Sequence, residues 1–393
     1  MQGAAPGRAH MRSFELERYF AEHEFKARYL LSASDCESMT LPRLLALADP
    51  AATHLWQNLH LGYTESQGHP LLREEIAGCY ATIHADDVLV AAPEEAIFIA
   101  MNTLLSPGDH VIVTFPAYQS LREVAVGLGC RVTHWPLQPV GEHWRLDLDF
   151  LQASLGPDTK LIVINFPHNP TGHLIGRSEM AQIIEMARQR GIYVFSDEMY
   201  RGLEYEEQQR LPAACDLYEH AISLAGLSKV LGLPGLRIGW LATQDQVLLA
   251  RFSAFHDYTT ICNSAPSEIL GIMALRARDQ IVERNLRILR ANLGAASHFF
   301  SARSNLFTWM PPRAGSVAFP KLGACIPVVD FCRELLEKEE VMVIPGTMFD
   351  FMGNHFRVGL GRSNLPETLE RVGDWARTTV GLMLGRSRPN TAQ

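Results

Sequence analysis

A series of short aliphatic runs in the middle of the chain constrains its fold more than any other feature. "HVIVTF" (110–115), "KLIVINF" (160–166), "IYVFSD" (192–197), "AISLAG" (221–226) and "RIGWLA" (237–242) are six or seven residues long and rich in Ile, Val and Leu. Runs of this kind suit strands buried on both faces. Helical patterns alternate with them. "PEEAIFIAMNTLL" (93–105) opens with Pro at the first helical position. "RSEMAQIIEMARQRG" (177–191) opens near Ser178, carries Ile and Met at helical spacing and ends at Gly191. The alternation predicts an α/β domain with a mainly parallel central sheet flanked by helices. Ligands of such sheets collect at the C-terminal ends of the strands.

After residue 264 the pattern changes. Residues 267–304 read as one long or kinked helix, followed by short strands, a helix near 327–340, further strands at 341–349 and 355–360, and a last helix from about Pro366. The expected organisation is an N-terminal arm (1–45) packed on the small domain, a large cofactor-binding domain (46–270) and a smaller α+β domain (271–393). A chain of 393 residues with 47% apolar content can bury a core of that size.

Charge and composition exclude several classes of function. The formal net charge is -8 and no block of Lys and Arg is dense, so nucleic acid and anionic membranes are not expected partners. No apolar run approaches the ~20 residues that cross a bilayer. The start, "MQGAAPGRAHMRSF", is small and polar, lacks the apolar core of a signal peptide, and reads as a disordered arm or a remnant ahead of Met11. Seven cysteines form no C-x-x-C pair, which fits reduced thiols in a cytoplasmic protein and no metal site.

Polar residues at the predicted strand ends carry the chemistry. The strand at 160–166 runs into "PHNPTG", where two prolines fix the backbone around Asn169. The next strand ends in "SDEMY", with Asp197 and Tyr200, and the next leads to Ser228 and Lys229. A lysine can form a Schiff base with an aldehyde. If the aldehyde is pyridoxal 5'-phosphate, Asp197 keeps the pyridine nitrogen protonated and the ring able to accept electrons. Asn169 and Tyr200 are placed to hydrogen-bond the ring 3'-oxygen. Arg237 and Ser228 are candidates for the phosphate, with backbone N–H groups after Pro93.

These segments resemble the fold-type-I pyridoxal-phosphate enzymes of the class I/II aminotransferase family, in the order "NFPHNPTG", "SDEMY", "SLAGLSKVLGLPGLRIGW" and "FRVGL". The resemblance covers roughly residues 30–380. It implies that Lys229, Asp197 and Tyr200 are catalytic, with Lys229 also moving the proton at the substrate α-carbon. It implies that Tyr118 of "FPAYQSL" stacks on the pyridine and that Arg357 grips the α-carboxylate with its planar fork. Tyr63 of "LGYTESQGHP" is the residue that reaches the partner's phosphate in a homodimer. Ser34 and Asp35 fall where the family's arm meets substrate.

Two positions depart from the family pattern. The turn before the phosphate-binding helix is "AAPEEA", so Glu94 and Glu95 are cofactor-binding candidates through their backbone only, with side chains turned outward. Gly226 stands where many members carry Ser or Thr, removing one donor to the phosphate. The expected activity is transamination of an L-α-amino acid with a 2-oxo acid. No motif supplies a second arginine for a dicarboxylate side chain. "PEEAIF", "ERYF" and the lysine segment are also similar to capreomycidine synthase, which marks the alternative: elimination, replacement, cyclisation or oxidation of an amino acid such as an arginine derivative. A binding module with a degenerate site is disfavoured by the intact Lys229, Asp197, Arg237 and Arg357.

Overall fold

The structure, a computed structural model, describes residues 11–323 and 326–386; the expectation for the first ten residues lies outside the described residues. The chain runs through α1 (Glu15–His23) and β1 (Tyr29–Leu30), then α2 (Leu41–Leu45), α3 (Pro50–Gln57) and α4 (Pro70–Ala77). An alternating stretch follows: β2 (Val88–Ala91), α5 (Pro93–Leu104), β3 (His110–Phe115), α6 (Ser120–Gly127), β4 (Arg131–Val140), β5 (His143–Leu146) and α7 (Leu148–Ser154). It continues with β6 (Thr159–Asn165), α8 (Arg177–Arg188), β7 (Tyr193–Asp197), α9 (Ala214–Leu217), β8 (Ala221–Gly226) and β9 (Gly239–Ala242). The C-terminal part holds α10 (Gln246–His256), α11 (Ala265–Arg276), α12 (Arg278–Ser301), β10 (Phe307–Thr308), β11 (Val317–Ala318) and β12 (Lys321–Leu322). It ends with α13 (Val328–Glu339), β13 (Val341–Met342), β14 (Ile344–Pro345), β15 (Phe356–Gly359) and α14 (Leu365–Arg386).

The central sheet has the order β2-β9-β8-β7-β6-β3-β4-β5. Strands β4, β3, β6, β7 and β8 are parallel, and β9, β2 and β5 are antiparallel to their neighbours. The runs that form β3, β6, β7 and β8 each feed two cores, whereas the run at 237–242 enters one. Val111, Val113, Leu161, Val163 and Phe195 enter one, while Ile112, Ile162, Ile164 and Val194 enter the other. Successive strand residues point to opposite faces, and here both faces are covered, so the runs are continuously apolar.

Two expectations need correction. The run at 237–242 forms a strand only from Gly239; Arg237 sits in a left-handed turn at φ 56°. The helix expected over 267–304 is two helices, broken at Ala277 between α11 and α12. Strands β2, β4 and β5 were not foreseen. β4 is half exposed and contains Pro136 and Pro139, so it lacks the aliphatic signature of a buried strand.

The arm lies across both parts of the molecule. β1 pairs in parallel with β13, and Tyr19 donates to the Val343 carbonyl at 3.2 Å. Arg12 bridges Glu123 of α6 at 3.0 Å and Asp350 at 2.9 Å, and Arg122 also pairs with Asp350. The arm therefore touches α6 as well as the C-terminal strands. Among the described residues, no helix is long and apolar enough to cross a membrane, and no cluster of His, Cys, Asp and Glu could hold a metal ion.

Candidate active site

β6, β7 and β8 are neighbours, so their C-terminal ends lie side by side, with Asn165 opposite Asp197 and Asp197 opposite Leu224. Asn165 donates through Nδ2 to the Asp197 carbonyl at 3.0 Å and accepts the Asn169 N–H at 2.8 Å. One side chain thus ties the "PHNPTG" loop to the end of the next strand. The Asp197 carboxylate is buried and accepts the Met199 N–H at 3.1 Å. Burial pushes its carboxyl up to about 7, against the opposing pull of that N–H and of Lys229.

Lys229 follows β8 directly and is only partly exposed. Its Nζ donates to Ser34 Oγ at 2.8 Å, and among the described residues no carboxylate pairs with it. Desolvation lowers the amine below the usual lysine range. Ser34 reaches this position because residues 31–36 cross directly over β15. A Cβ on Gly359 would lie 1.9 Å from the Ala33 carbonyl oxygen, so only glycine permits the crossing. Arg357 precedes that crossing on the same strand and is 1% exposed. It donates to Asn169 Oδ1 at 3.1 Å and to the Ser32 carbonyl at 2.9 Å. Both partners are neutral, so the guanidinium keeps its charge for an incoming anion.

The junction of β8 and β9 explains Gly226. A Cβ there would sit 3.0 Å from Gly239 Cα and 3.0 Å from the Ile238 carbonyl, and a Cβ on Gly239 would approach Pro93 Cγ at 2.8 Å. The start of α5 rests on β9, and β9 rests on the end of β8. A side chain at Gly226 would press on the backbone of its partner strand, which opposes a hydroxyl-bearing residue there. α5 leaves the N–H groups of its first turn without helical partners, which suits an anion. A cavity of about 580 Å³ opens beside that turn, lined by Phe14, Glu94, Glu95, Gln119 and Ser120.

The side chains of that turn do not simply face outward. Glu94 accepts from Ser120 Oγ at 3.1 Å, and burial pushes it up to about 7. Glu95 accepts from Thr260 Oγ1 at 2.8 Å and also from Thr259. The Arg237 side chain is exposed and donates to the Pro234 carbonyl at 3.0 Å, within electrostatic range of Glu94.

Tyr118 donates to Glu17 Oε1 at 2.7 Å, and its ring lies 5.1 Å from that of Phe14. The Tyr200 hydroxyl is buried beside Ser34 without a well-formed hydrogen bond, and desolvation raises its pKa. The Ser228 hydroxyl is also buried and unpartnered. Tyr63 stands apart at 92% exposure. The structure therefore gathers Lys229, Asp197, Asn169, Tyr200, Ser228, Arg357, Ser34 and Tyr118, and leaves Tyr63 at the surface. Asn165 escaped the sequence reading although it is the polar end of the run "LIVIN". Glu17 and Ser32 carried no local signal; their partners are distant in sequence.

The buried carboxyl, the unpaired amine and the unpartnered Tyr200 and Ser228 hydroxyls fit pyridoxal 5'-phosphate, whose ring nitrogen, aldehyde, 3'-oxygen and phosphate would complement them. The family model described as aminotransferase class I and II matches residues 30–372. Capreomycidine synthase of Streptomyces vinaceus is 31% identical over 359 residues, covering 91% of this chain and 90% of that protein. A PLP-dependent aminotransferase structure from Streptococcus suis superposes with a TM-score of 0.87 at 30% identity, covering 94% of this chain and 98% of that one. The PLP-dependent cyclase OrfR superposes with a TM-score of 0.86 at 28% identity, covering 96% of this chain and 100% of that one. On sequence, fold and site chemistry together, the chain belongs to the aminotransferase class I and II family of pyridoxal-phosphate enzymes.

Proposed function

We propose that the chain is an aminotransferase that moves the amino group of an L-α-amino acid to a 2-oxo acid, with Lys229 as the anchor and proton carrier. The observation that carries this reading is the amine of Lys229, which donates to Ser34 and, among the described residues, pairs with no carboxylate, within electrostatic range of the buried carboxyl of Asp197. When bound, pyridoxal phosphate supplies an aldehyde that takes up amino groups and a ring that accepts electrons from the α-carbon. Lys229 Nζ, with its lowered proton affinity, is suited to take the proton from the substrate α-carbon and return it. Asp197 would hold a proton on the ring nitrogen. Tyr200 and Asn169 would serve the 3'-oxygen, and Tyr118 the ring face. Ser228, Arg237 and the N–H groups of Glu94 and Glu95 would hold the phosphate. Arg357 takes the α-carboxylate, which fixes the direction of the α-C–H bond.

The same reading includes a homodimer in the cytoplasm, with a large domain over 46–270 and a small domain over 271–393. Leu61 at 84%, Tyr63 at 92% and Tyr258 at 90% exposure are apolar residues that a second copy would cover. Their loops are joined by the hydrogen bond from Thr64 to the Asn263 carbonyl, and Glu95 ties the second loop to the start of α5. Tyr63 then reaches the partner's phosphate.

The likeness to capreomycidine synthase supports a second reading, in which the same groups serve elimination, replacement or cyclisation. Mixing the holoenzyme with single amino acids and no acceptor separates the two. Transamination releases one equivalent of 2-oxo acid per site and no ammonia. Ammonia, or a cyclised product formed over many turnovers, would establish the second reading.

A further inference from the structure

We infer that Ser34 is a positioning residue for Lys229: its hydroxyl holds the amine whenever a substrate frees it from the cofactor, and so fixes where that amine takes up the α-proton. The inference rests on the proposed role of Lys229 as anchor and proton carrier.

Ser34 Oγ accepts from Lys229 Nζ at 2.8 Å, across 195 residues of chain. Among the described residues this is the one hydrogen bond of that amine, and the one well-formed hydrogen bond of that hydroxyl. The hydroxyl is not needed to hold its own segment. The Gly359 N–H donates to the Leu31 carbonyl at 2.6 Å, and the Glu37 N–H donates to the Gly361 carbonyl at 2.9 Å. Between these ties, Ser316 Oγ donates to the Ser34 carbonyl at 2.6 Å and Arg357 to that of Ser32 at 2.9 Å. Asp35 is taken by Arg362, whose Nη2 lies 3.0 Å from both carboxylate oxygens. Leu31, Ser32, Ala33, Asp35 and Cys36 are buried, and Ser34 alone among them is partly open. Its backbone is fixed by other groups, and its side chain is left for the amine.

The hydrogens on Nζ show when this contact matters. Tied to the cofactor aldehyde, Nζ carries at most one. Freed by an incoming amino group it carries two, or three once protonated, and each N–H in a desolvated site needs an acceptor. Ser34 is the acceptor at hand. A proton then leaves the α-carbon for Nζ, the electron pair of the C–H bond passes to the cofactor ring, and Nζ becomes an ammonium. The proton goes next to the former aldehyde carbon, and Nζ is neutral again. The hydrogen bond to Ser34 becomes charge-assisted as Nζ gains the proton, so it is stronger during the transfer than before it. A carboxylate in this place would hold the ammonium and oppose the second half of the transfer. A neutral hydroxyl supports both halves.

The test compares wild type with Ser34→Ala and Ser34→Thr. In the cofactor-free full chain, Lys229 is labelled with acetic anhydride across the pH range of the amine and quantified by mass spectrometry. Asp35, Glu17 and Asp197 favour its proton and Arg357 opposes it, and all four are unchanged in the variants. An acceptor also favours the protonated amine, so Ser34→Ala should lower the labelling midpoint by about 0.5–1 pH unit, and Ser34→Thr should keep it. In the holoenzyme, the substrate is the L-amino acid that releases most 2-oxo acid from wild type. Its single-turnover conversion should fall about 10- to 100-fold in Ser34→Ala and return to within about threefold in Ser34→Thr. With α-deuterated substrate, Ser34→Ala should show a primary isotope effect at least as large as that of wild type. A wild-type labelling midpoint or a wild-type rate in Ser34→Ala would overturn the inference and leave the transaminase reading standing. So would a loss that Ser34→Thr does not restore, or an isotope effect that vanishes. If wild type releases no 2-oxo acid from any amino acid, the transaminase reading fails and this inference fails with it.

Discussion

The floor of the pocket, at the ends of β6, β7 and β8, is held by strand register, whereas its roof is held by side chains that meet across the chain. On the floor, Asn165, Asp197 and Leu224 are consecutive partners on three parallel strands. In the roof, Tyr118 meets Glu17 across 101 residues and Arg12 meets Asp350 across 338. Main-chain pairing inside a two-sided core leaves little freedom to adjust. Side-chain contacts at a partly exposed seam can be altered one at a time. The floor is therefore suited to the invariant part of the chemistry, and the roof to choosing the substrate.

Substitutions sharpen this contrast, and those in the floor should cost most. Lys229→Ala should lower turnover by about 10⁴-fold, the upper range for a lost acid–base group, measured by single-turnover release of 2-oxo acid. Asp197→Asn should lower turnover by about 10³-fold with cofactor still bound. The same variant has an opposite effect on the apoprotein. The wild-type carboxyl is raised from 3.8 to about 7, so its contribution to stability is present below the unfolded value and lost as pH rises toward 7. By this group alone the apoprotein loses roughly 4 kcal/mol between those limits. Apo Asp197→Asn should lack that slope in denaturant unfolding followed from pH 4 to pH 8.

Arg357→Lys exchanges a planar fork for a point charge and should raise KM by about 10- to 100-fold, with a smaller change in turnover. Gly226→Ser forces a Cβ against Gly239 and should cost about 1–3 kcal/mol of stability, read as a lower denaturation midpoint without a gain in cofactor affinity. A tighter cofactor complex in that variant would show that the close pairing of β8 with β9 is not what excludes a hydroxyl. Arg12→Ala in the roof should cost at most about 1 kcal/mol, because its side chain is half exposed and the pairs are screened. An Arg12→Ala effect as large as that of Gly226→Ser would erase the distinction between floor and roof.

The same contrast governs what could be read from the residues alone. The floor was legible because each of its polar residues ends an aliphatic run, and parallel strands place such ends together. Asn169, Asp197 and Lys229 all follow that rule. The antiparallel junction of β8 and β9 was harder to read. Gly226 looked like a missing donor, and only the contact with Gly239 and the Ile238 carbonyl gives the reason for it. The outward-facing side chains expected of Glu94 failed because Ser120, 26 residues away, offers it a hydrogen bond. The roof was largely illegible. Ser34 was read from a resemblance, and nothing in "SASDCESM" announces that Gly359 lets this segment cross β15. Glu17 and Phe20 sit in a helix whose pattern shows an amphipathic face but not the surface it meets.

The central claim is that the lysine after β8 holds the cofactor. Reducing the holoenzyme with borohydride and mapping the labelled peptide by mass spectrometry tests it directly. The account predicts a single cofactor adduct on Lys229. An adduct on another lysine, or a fully loaded enzyme that yields none, would contradict it.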